Sequence, residues 1–459
     1  MNRGTVLPVL PVASIPQPSG PVDTTQGQRW SHTRLRRRML YGGHSEDVHA
    51  ALRAHVGQVR KEAWGPPDMS ANPYLSLWEQ TAKLYAEEPL VTGDDDAVGA
   101  AKAAGLWSLM QRVQRDTLGL REMGVRVEVI DGAPVYTPVF PDLMEGRASA
   151  SDPGQFVALT ETRWTPGVGW TRVTWDAERE VYEAHDRDGN DVSAEVLGGR
   201  FVGDRYPYRL DGKAIVPVVL YHAAETSTLW DEYAGREIVD GSLTLSVYLT
   251  YFGHVLKNCA WAQRYAAGVD VGGAGLEGAD GGGARREIVT DPSTLLMLSS
   301  QEGGGQMMIG QWAPPIQPDV LMKSIGMYEE RLVESAGLRV DVTRQTADIR
   351  SGYSLAVARD SIREAQRSYE PLFERSDTRL LAITGALMGR PSVPVRIVYR
   401  GLPESPGERR ARLDEIAELR AQGLLTRAGA YRMLHPELND AAIRAALAEI
   451  DAERTGATA

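Results

Sequence analysis

The most strongly patterned part of the chain reads PDVLMKSIGMYEERLVESA (318–336), LRVDVTRQTADIR (338–350) and SGYSLAVARDSIREAQRSYEPLFERSDTRLLAITGALMG (351–389). In the first part apolar residues recur every three or four positions, which predicts an amphipathic helix. The third part continues this rhythm and predicts a longer helix, capped at Ser351 and bent at Pro371. The middle part is polar and lacks the rhythm, so it predicts a loop held between two helices.

Composition limits what the chain can be. With 459 residues, of which 42% are hydrophobic, it can bury more than one core. Its 61 acidic and 50 basic residues give a net charge of -11, which argues against ordinary tight binding of nucleic acid. The single cysteine, Cys259, excludes an intrachain disulfide and cysteine-based metal motifs, and favours a reducing compartment. The longest apolar helical run, 243–256, is too short to cross a bilayer.

The N-terminal half changes period along its length. Residues 1–44 predict a flexible arm that ends in a basic cluster, for which a solvated surface is favoured over a contact with nucleic acid. Helical spacing then predicts helices over 46–63, 74–87 and 98–118. From Val125 to Tyr221 the period is two, which predicts antiparallel strands. The cluster consists of Arg34, Arg36, Arg37 and Arg38.

The C-terminal half returns to helices. Residues 237–267 predict a helix so apolar that other helices must enclose it. The glycine-rich segment and short strands of 268–317 indicate a small inserted subdomain. A strand over 393–399 precedes three helices, whose starts are marked by Ser405, Thr426 and Asn439.

The sequence contains no recognisable catalytic signature. The eight histidines form no HExxH pair, and His44, His49 and His55 are expected at the surface. There is no G-x-S-x-G elbow. The triplet 94–96 is interpreted as a charge cluster at a helix start, and Asp360 with Glu364 as part of a salt-bridged helix surface. We therefore expect no enzyme activity, no cofactor and no metal site.

The order of these elements resembles the portal proteins of tailed double-stranded DNA bacteriophages. Local sequence is also similar to that family at 72–74, at 215–221, at Ser351-Gly352 and at 423–431. The resemblance implies an α+β portal fold, which divides as follows: a flexible N-terminal arm (1–44), a wing (45–235), a first stem helix (236–267), a clip (268–317), a second stem helix (318–337), a tunnel loop (338–350), a long kinked helix with a wing strand (351–400) and a helical crown (401–459).

The resemblance also implies a function. Portal proteins form rings of about twelve copies at one capsid vertex, through which double-stranded DNA enters during packaging and leaves during ejection. Implied partners are the terminase large subunit, a head-tail adaptor, and the major capsid and scaffolding proteins, without a membrane. The protein would reside in the virion, and in the host cytoplasm during assembly.

The resemblance assigns two sets of residues. Those of the tunnel loop would face DNA, although they can equally be ordinary solvated loop charges; those of the stem would pack its two helices. The tunnel-loop set is Arg339, Asp341, Thr343, Arg344, Gln345, Asp348 and Arg350, and the stem set is Leu243, Val247, Tyr251, Leu321, Ile325, Tyr328 and Leu332.

Two alternatives remain open at the level of sequence. One is a nucleic-acid-processing enzyme with an unrecognised carboxylate site, for which 94–96 is the candidate. The other is a different ring-shaped head-tail adaptor. Activity of the purified protein and the symmetry of its assembly distinguish them from a portal.

Overall fold

The computed structural model describes residues 24–56, 66–93, 95–149, 155–165, 169–186, 190–199, 201–203, 206–210, 212–231, 236–260, 263–267, 295–298, 308–312, 318–336, 352–390, 394–402, 406–435, 438 and 440–456. The chain divides into two compact units. The first consists of residues 1–43, 73–235 and 336–459, and the second of 44–72 and 236–335.

The described helices and strands follow the expected change from helix to strand and back. The helices are α1 (Thr24–Leu40), α2 (Ser45–Val56), α3 (Pro73–Thr81), α4 (Asp95–Ala103), α5 (Leu106–Leu120), α6 (Ser193–Val196), α7 (Arg236–Ala260), α8 (Pro318–Ser335), α9 (Gly352–Leu387), α10 (Pro406–Ala421), α11 (Arg427–Leu434) and α12 (Asp440–Gly456). The strands are β1 (Leu90–Thr92), β2 (Glu122–Ile130), β3 (Ala133–Val139), β4 (Met144–Ala148), β5 (Phe156–Thr165), β6 (Gly169–Trp175), β7 (Glu180–His185), β8 (Phe201–Val202), β9 (Arg209–Leu210), β10 (Lys213–Ala214), β11 (Val218–His222), β12 (Gln263–Ala267), β13 (Leu295–Leu298), β14 (Met308–Trp312) and β15 (Arg396–Val398).

The described strands of the first unit form two larger antiparallel sheets, beside the two-stranded pairs β1-β15 and β9-β10. One has the order β11-β2-β3 and the other the order β4-β5-β6-β7-β8. The hairpin between β2 and β3 turns at Asp131 and Gly132, whose φ angles of 52° and 80° suit a two-residue turn with the twist of the strands. Side chains from both sheets, including Trp175 and Leu220, share one buried apolar cluster. The predicted antiparallel β-region is confirmed.

The expected arm is partly wrong. From Thr24 to Leu40 the chain is a helix that packs in the first unit, and Trp30 and Leu40 on it are buried. The basic cluster is not a solvated run either, since Arg36 is buried and Arg34 and Arg37 pair with a buried aspartate. The sequence is misleading here because this helix turns arginines, rather than only apolar side chains, toward the protein.

Two predicted helix boundaries also differ. The helix expected over 98–118 is two helices, α4 and α5, because Gly105 adopts the left-handed conformation at φ 74°. The helix expected over 74–87 ends at Thr81, after which Leu84 donates its backbone N–H to the side chain of Gln114 at 2.9 Å. The helix expected over 46–63 is described from Ser45 to Val56, and its expected end lies outside the described residues.

The second unit is built on the helical pair α7 and α8. The helix expected over 237–267 ends at Ala260, because residues 263–267 form strand β12 instead. This strand pairs with β13 in parallel and with β14 in antiparallel orientation, so its backbone groups bond between strands rather than along a helix. The glycine-rich segment lies outside the described residues.

The long helix α9 belongs to the first unit and continues through Pro371. Proline removes one backbone donor from the helix, and the bend at this position stays a prediction. Of the predicted C-terminal helix starts, Thr426 caps α11 by accepting the backbone N–H of Gly429 at 3.0 Å. Ser351, Ser405 and Asn439 lie outside the described residues.

Candidate subunit interface and buried carboxylate sites

Helix α7 is apolar on more than one side because it packs against two other helices. Toward α8, its Leu245 shares a buried cluster with Ile325 and Leu332, and the rings of Tyr248 and Tyr328 meet edge to face with centroids 5.4 Å apart. The backbones approach closely here: a Cβ added at Gly241 would lie 2.6 Å from Cδ1 of Leu332.

The other side of α7 packs against α2 of the same unit. Val247 is buried with Val48 and Leu52, and Leu243 and Tyr251 pack against them. The predicted stem residues therefore lie in two different contacts, of which only one joins α7 to α8. Leu321, the remaining member of the predicted set, is half-buried.

Helix α8 carries apolar side chains that its own unit leaves uncovered. Val320 is 54% exposed and Met327 is 58% exposed. A spacing of seven residues is close to two helical turns, so these side chains share one face, about 10 Å apart along the axis. The buried Ile325 and Leu332 lie at other positions of the helical rhythm, toward α7. Helix α8 thus has an outer apolar pair as well as an inner packed face.

The predicted tunnel-loop residues, from Arg339 to Arg350, all lie outside the described residues. What the structure describes is their flanks, since α8 ends at Ser335 and α9 begins at Gly352. The loop assignment therefore stays a prediction.

Other polar candidates from the sequence do not come together. Asp96 is exposed and pairs with Arg390 at 3.4 Å, and Asp94 lies outside the described residues. His44 and His49 are buried, contrary to expectation, whereas His55 is exposed. Within the described ranges, no three His, Cys, Asp or Glu side chains are grouped so as to hold a metal ion. None of the described helices combines the length and hydropathy needed to cross a bilayer.

A buried aspartate on α9 accepts three tyrosine hydroxyls. Tyr85 and Tyr399 donate to Oδ2 of Asp377, each at 2.6 Å, and Tyr221 donates to Oδ1 at 2.8 Å. The donors come from three elements: the turn after α3, the strand β11 and the residue after β15. Burial raises the pKa of Asp377 to about 6, although the three hydroxyl donors oppose this rise.

A second buried aspartate lies under α1 and is paired with arginines. Oδ1 of Asp142 accepts from Nη1 of Arg37 at 3.0 Å, and its Oδ2 lies 3.7 Å from Nε of Arg34. Burial raises the pKa of Asp142, and the positive charges of Arg37 and Arg34 oppose that rise.

Arg29, on the same face of α1, reaches further into the β-region. It donates to the carbonyl oxygens of Pro141 and Met144 at 3.0 and 2.9 Å, and its guanidinium lies over the ring of Trp230. Its Nη1 is 3.5 Å from Oε1 of Glu122, a carboxyl whose pKa burial raises to about 7. The arginines of α1 thus hold the helix to the β-region through hydrogen bonds and charge pairs.

Sequence reasoning missed both carboxylate sites. One signal was present for Asp377, which falls on the apolar face of α9, four residues after Phe373 and three before Leu380, both of them buried. A charge at such a position indicates a partner, since an ionised carboxylate is costly to bury alone. No comparable signal exists for Asp142, because its partners lie more than a hundred residues away in the sequence.

No protein-family model and no curated protein matches the chain. Among solved structures, it is similar to a chain from the neck of a native gene transfer agent particle with C12 symmetry: 12% identity, a TM-score of 0.46, and coverage of 80% of this chain and 90% of that one. It is also similar to a chain from the virion of a native gene transfer agent particle: 13% identity, a TM-score of 0.47, and coverage of 85% and 98%.

Proposed function

We propose that the chain is the ring-forming portal subunit of a tailed, phage-like particle, and that its ring conducts double-stranded DNA. The observation that carries the proposal is the helical pair α7 and α8, with a three-stranded sheet inserted between them and an outer apolar pair on α8. This order of elements, followed by the long helix α9 and three terminal helices, is the order for which the sequence resembles portal proteins.

The outer face of α8 supports assembly. Val320 and Met327 expose most of their apolar surface to water, which a neighbouring subunit would cover. The inner face of α8 is already packed against α7 of the same unit. A neighbouring subunit would therefore contact the outer face of α8, and would do so with some other part of its own surface. Such head-to-tail contacts close into rings when the rotation between copies allows it.

The charge of the chain supports a conduit for DNA rather than a clamp. Each copy adds a net charge of -11 to the ring. A ring of acidic chains repels phosphate over most of its surface, so DNA can pass without the many cationic contacts that hold it in place. In the proposed ring the segment 338–350 faces the DNA, where Arg339, Arg344 and Arg350 make passing phosphate contacts.

The proposed partners follow from this role. The sheet of β12, β13 and β14 would form the end of the ring that meets the terminase large subunit during packaging and the head-tail adaptor later. The major capsid and scaffolding proteins are the other proposed partners. No catalysis is required of this chain, since the packaging ATPase is a separate protein.

Native mass spectrometry and negative-stain imaging of the full chain test the proposal. We expect a closed ring of about twelve subunits with a central hole. Val320→Glu combined with Met327→Glu should abolish the ring and leave a folded monomer, because charges would replace the apolar contact. Val202→Glu is the matched control, since Val202 is equally exposed but lies in the first unit.

Two results would overturn the proposal. One is a monomer that persists under every assembly condition tried. The other is robust nuclease or ATPase activity of the purified chain that is lost when residues 94–96 are replaced, which would favour the enzyme alternative.

A further inference from the structure

One side chain of helix α9, that of Asp377, is hydrogen-bonded to three separate parts of its unit. Asp377 is buried, and all three of its described hydrogen-bond donors are tyrosine hydroxyls, those of Tyr85, Tyr221 and Tyr399. The rings carrying these hydroxyls are themselves fixed. Tyr85 meets Tyr399 edge to face at 5.5 Å, and both Tyr85 and Tyr221 contact the ring of Phe373, with centroids 6.0 and 5.6 Å away.

The three donors converge without a cation. In the part of the chain that the structure describes, Asp377 takes part in no ion pair, so nothing but hydroxyl groups compensates its burial. Other ionisable groups in this neighbourhood are Tyr136, which acts on Tyr221, and Glu374, which acts on Tyr399. The site therefore recognises one particular kind of group on α9, a short side chain that accepts several hydrogen bonds at once.

The residues one turn away on α9 cannot take that role. Phe373, Leu380 and Leu381 are buried, apolar and three or four positions from Asp377, on the same side of the helix. If α9 moved along its axis by one turn, one of these side chains would replace the carboxylate. The buried hydroxyls of Tyr85 and Tyr221 and the partly buried hydroxyl of Tyr399 would then lose their acceptor, and each would incur a desolvation cost.

We propose that Asp377 is a positioning residue that fixes the axial register of α9 within its unit. The apolar contacts of the helix would tolerate a one-turn shift better than this polar contact does, because one apolar side chain would then replace another. The carboxylate and its three hydroxyls make one register uniquely favourable. Buried polar groups specify the register of coiled coils by the same physical means. This inference does not depend on the proposed function.

The test measures a distance rather than stability. Spin labels are attached at Val135 on β3 and Ser368 on α9, two exposed positions of the same unit, in the full chain carrying Cys259→Ser. Labelled chains are diluted with unlabelled ones, so that pulsed electron spin resonance reports distances within one chain. The all-apolar variant combines Asp377→Leu with Tyr85→Phe, Tyr221→Phe and Tyr399→Phe.

We expect one narrow distance distribution in the parent chain and a second population in the all-apolar variant, displaced by up to about 5 Å, the length of one helical turn. Tyr136→Phe is the matched control, because Tyr136 hydrogen-bonds to Thr384 of α9, a neutral partner, at 3.0 Å; its distribution should remain single. A single, unshifted distribution in the all-apolar variant would overturn the proposal.

A second variant keeps the proposal testable if the fourfold replacement does not fold. Asp377→Asn preserves the size of the side chain but replaces one acceptor oxygen with a donor group, so it cannot accept all three hydroxyls in the same way. Its distance distribution should broaden toward the displaced population. A distribution identical to that of the parent chain would contradict the role assigned to Asp377.

Discussion

Asp142 and Asp377 are buried aspartates of the same structural unit, but the structure compensates their charges in different ways. Asp142 faces the guanidinium groups of Arg34 and Arg37, which α1 supplies. Asp377 lies on α9 and receives only hydroxyl groups, from three tyrosines. Burial raises the pKa of both carboxyls.

This difference indicates how each helix is held in its unit. Around Asp142, removing one partner leaves a buried charge of the opposite sign, so the site depends on all of its charges being present. Asp377 has no positively charged partner that its substitution would leave unpaired, and its carboxyl can become neutral by binding a proton. We therefore expect the α1 site to be the more sensitive to substitution. The raised pKa makes the stability from both carboxyls depend on pH, and the pKa of about 6 for Asp377 places its change in an accessible pH range.

The largest effect is expected for Asp142→Asn. The variant keeps the shape of the side chain but leaves Arg34 and Arg37 without a counter-charge, at a cost of about 3–5 kcal/mol in the free energy of unfolding. Chemical denaturation measures this loss. Asp240→Asn is the control: Asp240 pairs with Arg236 across an exposed helix surface, and its loss should cost less than about 1 kcal/mol. Equal effects of the two substitutions would show that burial does not increase the contribution of the Asp142 ion pairs to the free energy of unfolding.

The second prediction concerns pH. The folded-state pKa of Asp377, about 6, lies above its ordinary value of 3.8, so the folded protein holds this proton more tightly than the unfolded one. The associated stability is fully present below pH 3.8 and is lost as the pH rises through 6, a change of about 3 kcal/mol. Asp377→Asn should remove this part of the pH dependence. The free energy of unfolding is measured between pH 4 and 8 for the variant and for the parent chain. Glu122 and His222 also titrate, but their contributions are common to both chains and cancel in the difference. Identical pH profiles would contradict the prediction.

Local sequence patterns predict some parts of this structure and not others. Local periodicity was sufficient to predict α8 and most of α7 and α9, because a helix that buries one face has apolar residues at every third or fourth position. It failed at 263–267, where pairing with β13 and β14 decides the conformation, and at α1, whose inward face contains Arg29 and Arg36. Pairings such as that of Tyr221 with Asp377 join residues 156 positions apart, which no local pattern encodes.

A smaller effect is expected from removing one hydroxyl of the α9 site. Tyr399→Phe leaves Asp377 with two donors, so the variant should lose about 1–2 kcal/mol near pH 8, where the carboxyl is ionised and accepts charge-assisted hydrogen bonds. It should also raise the pKa of Asp377 further. Tyr136→Phe removes a hydroxyl that bonds to neutral Thr384, and should cost less and show no such dependence on pH. Denaturation of both variants at pH 5 and pH 8 provides the comparison, and an equal, pH-independent loss would argue against an ionised Asp377.

The smallest effect on stability is expected at Arg375, two residues before Asp377 on α9. Arg375 donates two hydrogen bonds to the carboxylate of Glu225, at 3.2 and 3.1 Å, but both side chains are exposed. Arg375→Ala should therefore cost less than about 1 kcal/mol, and less still in high salt. A loss as large as that of Asp142→Asn would mean that partner charge, rather than burial, decides the energy of these pairs.

The same variant has a sharper electrostatic readout. His222 is buried, and its pKa is lowered to about 4, first by burial and in part by the positive charge of Arg375, while Asp231 and Glu225 act in the opposite direction. Removing Arg375 takes away one of the positive charges that oppose protonation, and Glu225 remains. The pKa of His222 should rise above 4, yet stay below its ordinary value, because burial is the largest cause and is unchanged. NMR titration of the imidazole checks this, and an unaltered pKa would show that water screens Arg375 from the buried ring.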